Sequence, residues 1–323
     1  MRKKNQAFAH TRAFWMFVSP ALILFTIFFL VPLALAIGFS FTNYDGWKTM
    51  DFVGLKNYIK LFSDKDFYAT LKRTFIYALV NLPFKVILPL LVASLVCSRY
   101  MYGKTVVRTL IYVPVLLSAL VAGITINWMF GEEYGLVNFI IQSLGGTPLK
   151  WAMNSTLATV VVSVASNWVS IGFYMIMFIG GINNISRELY EAASVDGANK
   201  VDSFFRITLP LLAPTTFIVL LLSTVNLLKE YTLVQGITTG GPGTSTTYII
   251  QYIFNQGFTQ MRYGYASAIG IVVGIIFIII AGIQFKFSNG GRQEVHSWRP
   301  SRVLPPTWTR WIWWFREARS IRW

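Results

Sequence analysis

The sequence holds one cysteine, Cys97, and two histidines among 323 residues. A lone cysteine excludes an intrachain disulfide, and two scattered histidines supply no cluster of metal ligands. Charge is scarce as well: 13% of residues are charged, against 54% hydrophobic and 16% aromatic. With a mean hydropathy of +0.54, this balance is too apolar for a water-soluble domain and places the chain in a bilayer. Acidic residues are scarcest, 13 against 28 Lys and Arg, for a net charge of +15. Such a surplus suits nucleic acid only when gathered on a soluble domain; here it is spread between apolar runs, so membrane topology accounts for it and no nucleic-acid partner is expected. No catalytic constellation stands out. The glycine-rich run at 239–243 lacks the Gly-Lys-Ser/Thr ending of a phosphate-cradling loop, so the chain is expected to hold no cofactor and hydrolyse no ATP.

What is present is a series of apolar runs at about 14–41, 75–96, 109–130, 156–180, 211–234 and 263–285. They predict an all-α polytopic membrane protein with six transmembrane helices. The first run, uncharged from Phe14 to Phe41, is ample at ~1.5 Å per residue for a ~30 Å hydrocarbon core. Ala34-Leu35-Ala36 has the form of a signal-peptidase site, but the run is far longer than a signal-peptide core and is read as a span. The organisation is then a cytoplasmic amino terminus (1–13), a transmembrane body (14–287) and an Arg/Trp-rich tail (288–323). On this topology Lys and Arg fall about two to one on the inner side, which places both termini in the cytoplasm. The loop 42–73 carries Lys48, Lys56, Lys60, Lys65, Lys72 and Arg73 and goes against that rule; the other segments keep it outside.

The stretch around which the chain is organised is 185–214. Ser186 precedes a helix-prone run as a candidate N-cap, with Glu188 in its first turn where the helix dipole favours an anion. Leu189, Ala192 and Ala193 share one face. Asp196-Gly197 ends the helix, because glycine accepts the left-handed conformation of helix ends. A second short helix begins near Lys200 and stops near Pro210. Glu191-Ala192-Ala193, three residues, Gly197, nine residues, Ile207, one residue, Leu209-Pro210 is a spacing that closely resembles the cytoplasmic EAA loop of ATP-binding-cassette (ABC) importer permeases. Further on, Thr239-Gly-Gly-Pro followed by Thr246-Thr-Tyr-Ile-Ile-Gln-Tyr-Ile-Phe254 resembles the segment between the last two spans in the carbohydrate, maltose-type branch. The resemblance covers roughly residues 10–287.

That resemblance implies a type I ABC importer permease fold in a bacterial or archaeal cell membrane. It implies a coupling helix formed by Glu188, Glu191, Ala192, Ala193, Asp196, Gly197, Ala198, Ile207, Leu209 and Pro210 and docked in a separate ATPase. The implied partners are a second homologous permease, a dimer of ATPase subunits carrying ATP and Mg, an extracytoplasmic solute-binding protein and membrane lipid. The implied cargo is a mono- or oligosaccharide or a related polyol or glycerol derivative, moved by alternating access.

Within the spans, Lys85 is costly at mid-membrane depth and needs a partner. Asn81 lies one turn earlier on the same face, and Glu230 is the candidate counter-charge. Two roles stand for Lys85, a structural ion pair and a lining of the path. Sugars need hydrogen-bonding groups and aromatic faces, which makes Asn167, Trp168, Asn226, Glu230 and Tyr231 the further candidates. Ala266, Gly270 and Gly274 recur every fourth residue and are expected to pack within the subunit. The tail, with Trp298, Trp308, Trp311, Trp313, Trp314 and Trp323 among its arginines, is either an interfacial segment interrupted by prolines or a divergent terminus. The alternative function is a stand-alone ion-coupled transporter, which wants intramembrane carboxylates and matching halves; Glu230 is the single acidic residue near a span, and no halves match.

Overall fold

The structure, a computed structural model, describes residues 2–47, 50–98 and 101–287, with the backbone alone for 2–13. The tail 288–323 lies outside the described residues. α1 (Arg2–Phe25) passes through a π-helical turn, Thr26–Leu30, into α2 (Val31–Ser40). A short α3 (Lys56–Phe62) leads to α4 (Lys65–Cys97), α5 (Lys104–Tyr112), α6 (Ala119–Met129), α7 (Leu136–Ser143) and α8 (Ser155–Asn183). Then come α9 (Arg187–Val195), α10 (Lys200–Ser203), α11 (Leu209–Leu211), α12 (Ala213–Leu228), α13 (Thr232–Ile237), α14 (Ile249–Phe254) and α15 (Tyr263–Phe287). Among the described residues Phe14–Ser40, α4, α8 and α15 are each long and apolar enough to cross a membrane, and two bent pairs bring the count to six if each makes one span.

Each departure from the expected spans has a local cause. The second span begins at Lys65, ten residues before the apolar run, because the Asp64 carboxylate accepts from the Asp66 and Phe67 N–H groups at 2.9 and 3.3 Å and starts the helix there. Its 33 residues extend to about 50 Å, longer than the hydrocarbon core. The third span is not one helix. Pro114 sits in a 3-10 turn, Leu117 is extended, and Lys104–Leu116 meets Ala119–Met129 at 101°. The fifth span bends by 66° at Leu212, between Pro210 and Pro214, and ends at Leu228 rather than Val234. Lys229, Glu230 and Tyr231 leave the helix, and α13 starts a separate turn. The helix of the fourth span starts at Ser155, capped by Asn154, which accepts from the Thr156 and Leu157 N–H groups.

α4 and α8 lie side by side and form the spine, with α12 packed on both. One buried cluster joins Tyr77, Val162, Leu227 and Tyr248; a second joins Leu90, Met175, Phe178 and Leu212. A third links Leu61 and Phe67 to Ile249 and Ile269 of the last two helices. The outward faces are as apolar as the core, with Phe28 74%, Leu79 74% and Ile278 72% exposed, as a lipid-facing surface requires. Phe14–Ser40 has no buried residue in its most apolar window; only its α2 end lies against α15.

The stripe Ala266, Gly270, Gly274 does not pack as expected: space is open around Gly270 and Gly274, and only Ala266 is buried. The close glycine approach is elsewhere, between α6 and α13. A Cβ on Gly236 would stand 2.6 Å from the Leu120 carbonyl oxygen and 3.0 Å from the Gly123 Cα.

Candidate functional site

The polar residues of the spans converge on the α4–α8 seam. Ser163, Ser166, Asn167 and Ser170 fall at i, i+3, i+4 and i+7, so one face of an otherwise apolar helix is hydroxyl and amide. Asn81 of α4 donates to Ser163 Oγ at 3.0 Å and accepts from Asn167 Nδ2 at 3.0 Å. One turn further, the buried Lys85 ammonium donates to the Ser166 carbonyl at 2.9 Å and to Ser170 Oγ at 2.8 Å. Ser166 Oγ in turn donates to Glu230 Oε2 at 2.9 Å. Lys85 and Glu230 therefore share a network, as their types suggested, but through a serine rather than as a direct pair. The Tyr77 hydroxyl points toward Glu230 and Ser166 without good hydrogen-bond geometry to either.

Beside this seam runs an open groove of about 840 Å³. Arg73 stands at its α4 start, Asn81, Ser163 and Asn167 form polar points along it, and Phe84 and Trp168 supply aromatic faces. Of the candidate path residues, Asn167 and Trp168 both line this groove. Lys85, Asn226, Glu230 and Tyr231 do not line that groove: Asn226 donates to Tyr174 Oη at 3.0 Å, and the Tyr231 ring lies tilted against Phe254 with centroids 5.4 Å apart. Ser163, Ser166 and Ser170 were missed by the sequence reading, although their helical spacing inside an apolar run was a usable signal. Arg73 was assigned to a loop and is in fact two turns inside α4.

At the other end of α8 the chain forms an exposed elbow. Ser186 occupies the N-cap position of α9, but its hydroxyl makes no capping bond. Glu191 pairs only loosely with Arg187, at 4.0 Å on an open surface. The turn closes through Gly197 N–H to the Ser194 carbonyl and Ala198 N–H to the Ala193 carbonyl. Gly197 has φ +80°, the left-handed conformation that its residue type anticipated. A reciprocal capping box between Asn199 and Asp202 starts α10. The helix then widens into a π turn, Phe204–Thr208, and stops at Leu211, just past Pro210, with the fifth span resuming at Ala213 across the 66° bend. Tyr190 Oη and Thr208 Oγ1, 2.9 Å apart, tie the two arms. Glu188, Glu191, Ala192, Asp196, Gly197 and Pro210 are exposed, while Ala193, Ala198, Ile207 and Leu209 are half-buried. Leu189, Val195, Val201 and Phe205 are apolar yet 46%, 84%, 64% and 59% exposed.

A third polar cluster lies at the α4 start. Asp64 Oδ2 accepts from Tyr252 Oη at 2.6 Å and Tyr265 Oη at 2.5 Å, and Lys60 sits 4.4 Å above the Tyr265 ring. Burial raises the Asp64 carboxyl, but the two tyrosine hydroxyls and the Phe67 and Asp66 N–H groups together hold it below its ordinary value.

Residues 62–290 match the family described as the inner membrane component of binding-protein-dependent transport systems. The chain is 32% identical over 285 residues to the arabinooligosaccharides transport system permease protein AraP of Bacillus subtilis, covering 87% of this chain and 90% of AraP. It is 31% identical over 277 residues to the sn-glycerol-3-phosphate transport system permease protein UgpA of Agrobacterium fabrum, 84% and 93% of the two chains. In fold it superposes with a TM-score of 0.78, at 24% identity, on a bacterial ABC transporter involved in the import of the acidic polysaccharide alginate, covering 89% of this chain and 98% of that one. Several apolar spans around a polar seam and an exposed elbow are thus the build of a multi-pass membrane subunit, and the chain belongs to the binding-protein-dependent transport system inner membrane component family.

Proposed function

We propose that this chain is the translocation subunit of an ATP-driven importer of a carbohydrate or a related polyol or glycerol derivative, and that it hydrolyses no ATP itself. The observation that carries the reading is the α9–α10 elbow. It exposes Leu189, Val195, Val201 and Phe205 beside Glu188 and Glu191, a mixed apolar and acidic surface suited to a protein groove with basic groups on its rim. An ATPase dimer holding ATP and Mg docks there. Closure of that dimer pulls on an element continuous with the fourth span on one side and the fifth on the other, and so favours one of two arrangements of the spans. The permease names of AraP and UgpA support a hydroxylated cargo.

A second homologous permease covers the unpartnered face of Phe14–Ser40, and an extracytoplasmic solute-binding protein delivers the cargo between the two subunits. Both termini and the elbow face the cytoplasm, in keeping with the excess of basic residues on that side. Glu191→Lys and Gly197→Asp are each expected to abolish co-purification of the ATPase from membranes while the permease still accumulates. Retention of the ATPase by both variants, or labelling of a cysteine at position 191 from the outer face, overturns the reading.

A further inference from the structure

The elbow closes on itself at two places that its backbone does not supply. One is where α8 ends: a Cβ on Gly181 would stand 2.6 Å from Thr215 Oγ1 and 2.7 Å from Leu212 Cδ2, so the fourth span lies directly against the start of the fifth, at the 66° bend. The other is the hydroxyl bridge between Tyr190 of α9 and Thr208, 2.9 Å long. This pair is 18 positions apart in the chain, which runs round the Gly197 turn and along α10, and the bridge spans them in one contact. Tyr190 is half-buried and Thr208 is 6% exposed, which shelters the bond from competing water. Between the two places Ile182, Ile185, Phe204 and Leu209 pack against the buried cluster of Phe178, Ile179 and Leu212. The frame is therefore filled rather than hollow.

The π turn accounts for where Thr208 points. The Leu209 N–H donates to the Phe204 carbonyl, and the Thr208 hydroxyl lies 3.4 Å from the Ser203 carbonyl, each five residues back. Such turns are rare and gather at functional positions. A regular helix over the same stretch would turn Thr208 by about 100° relative to α10 and take its hydroxyl away from Tyr190. The ion pairs do not cross the elbow: Arg187–Glu191 and Asp202–Arg206 each stay within one arm. A displacement of α9 thus has two routes to the fifth span. The longer one passes through Gly197, which stands in open space with φ +80°, and the shorter one crosses from Tyr190 to Thr208. We propose that Tyr190 and Thr208 are the positioning pair of this elbow: their hydroxyl bridge makes α9, the π turn and the facing ends of the fourth and fifth spans move as one body. The proposal rests on the reading of the elbow as an ATPase dock and adds the residues that hand the displacement on.

The test uses the intact transporter, purified with its partners in nanodiscs, and reads amide hydrogen exchange before and after arrest with ATP, Mg and vanadate, so the cargo need not be known. In the wild type, arrest is expected to change exchange about threefold in both 187–195 and 209–222. Tyr190→Phe and Thr208→Val each remove one hydroxyl of the same bond and keep the side-chain shape, so in either the change persists in 187–195 and is lost in 209–222. The double variant is expected to match the single ones, since all three break one bond, and Thr208→Ser to respond as the wild type does. A 209–222 response that survives both hydroxyl-free variants overturns the proposal. So does faster exchange in 187–195 before ATP is added with the 209–222 response intact, the pattern of a bond that only steadies α9. The wild type separates the two readings: if the ATPase co-purifies and 187–195 responds while 209–222 does not, the brace alone falls; if no ATPase co-purifies, the importer reading falls and the brace with it.

Discussion

Lys85 and Glu230 are joined by one residue: the ammonium donates to the Ser166 carbonyl at 2.9 Å and the carboxylate accepts from the Ser166 hydroxyl at 2.9 Å. Two opposite charges from α4 and from the end of the fifth span thus meet on the backbone and side chain of a single α8 residue. The network thus joins the interior of α4 and α8 to the chain just past the end of the fifth span.

Removing one charge should cost more than removing both. Lys85→Met leaves Glu230 without its counter-charge in a low-dielectric setting, and we expect a loss of about 3 kcal/mol, the scale of a broken buried pair. The double variant Lys85→Met, Glu230→Gln should recover most of it. Thermal unfolding of the detergent-solubilised protein reads this directly. If Lys85 also lines the path, uptake stays low in the double variant although its melting temperature is restored; if the role is structural, uptake returns with stability.

At Gly236 the expectation is steric. Alanine there sets a Cβ 2.6 Å from the Leu120 carbonyl oxygen, so α6 and α13 must separate at a cost of roughly 1–3 kcal/mol. Gly274→Ala, in open space, should leave the melting temperature unchanged. Comparing the two melting curves isolates packing from helix propensity.

Gly197 faces open space with φ +80°, so any effect of substitution there comes from the backbone alone. Gly197→Val should cost on the order of 1–2 kcal/mol locally and raise amide exchange across 187–203. Gly197→Asn, which tolerates the left-handed region, should exchange more slowly than the valine variant. Equal exchange in the two would mean the turn is not held at that residue.

The Asp64 cluster predicts a pH dependence of defined sign. Its carboxyl is held below the ordinary value of 3.8, so the stabilisation it gives is present above that value and is lost as pH falls through the lower folded one. Acid unfolding of the wild type should therefore steepen below about pH 4 relative to Asp64→Asn, which keeps a capping oxygen but does not titrate. Parallel melting temperatures of the two proteins from pH 6 to pH 3 would contradict this.

The sequence by itself determined that the chain is an all-helical membrane protein and where its elbow turns. Apolar runs long enough for a bilayer core recur along the chain, and the turn at Gly197 takes the residue type that occupies a positive φ without strain. The second span was read from its hydrophobicity, which starts eleven residues after Asp64, the cap at which its helix begins. What the sequence left open is which polar residues share a surface. Lys85, Ser166 and Glu230 are brought together only by the packing of three spans. Arg73, Asn167 and Ser245 likewise line one groove only because α4 and α8 run side by side with the loop before α14 across them. Periodicity within a helix says which face is polar, but the rotation and register of one helix against another are set by side-chain packing between segments far apart in the chain, and that information exists only in three dimensions.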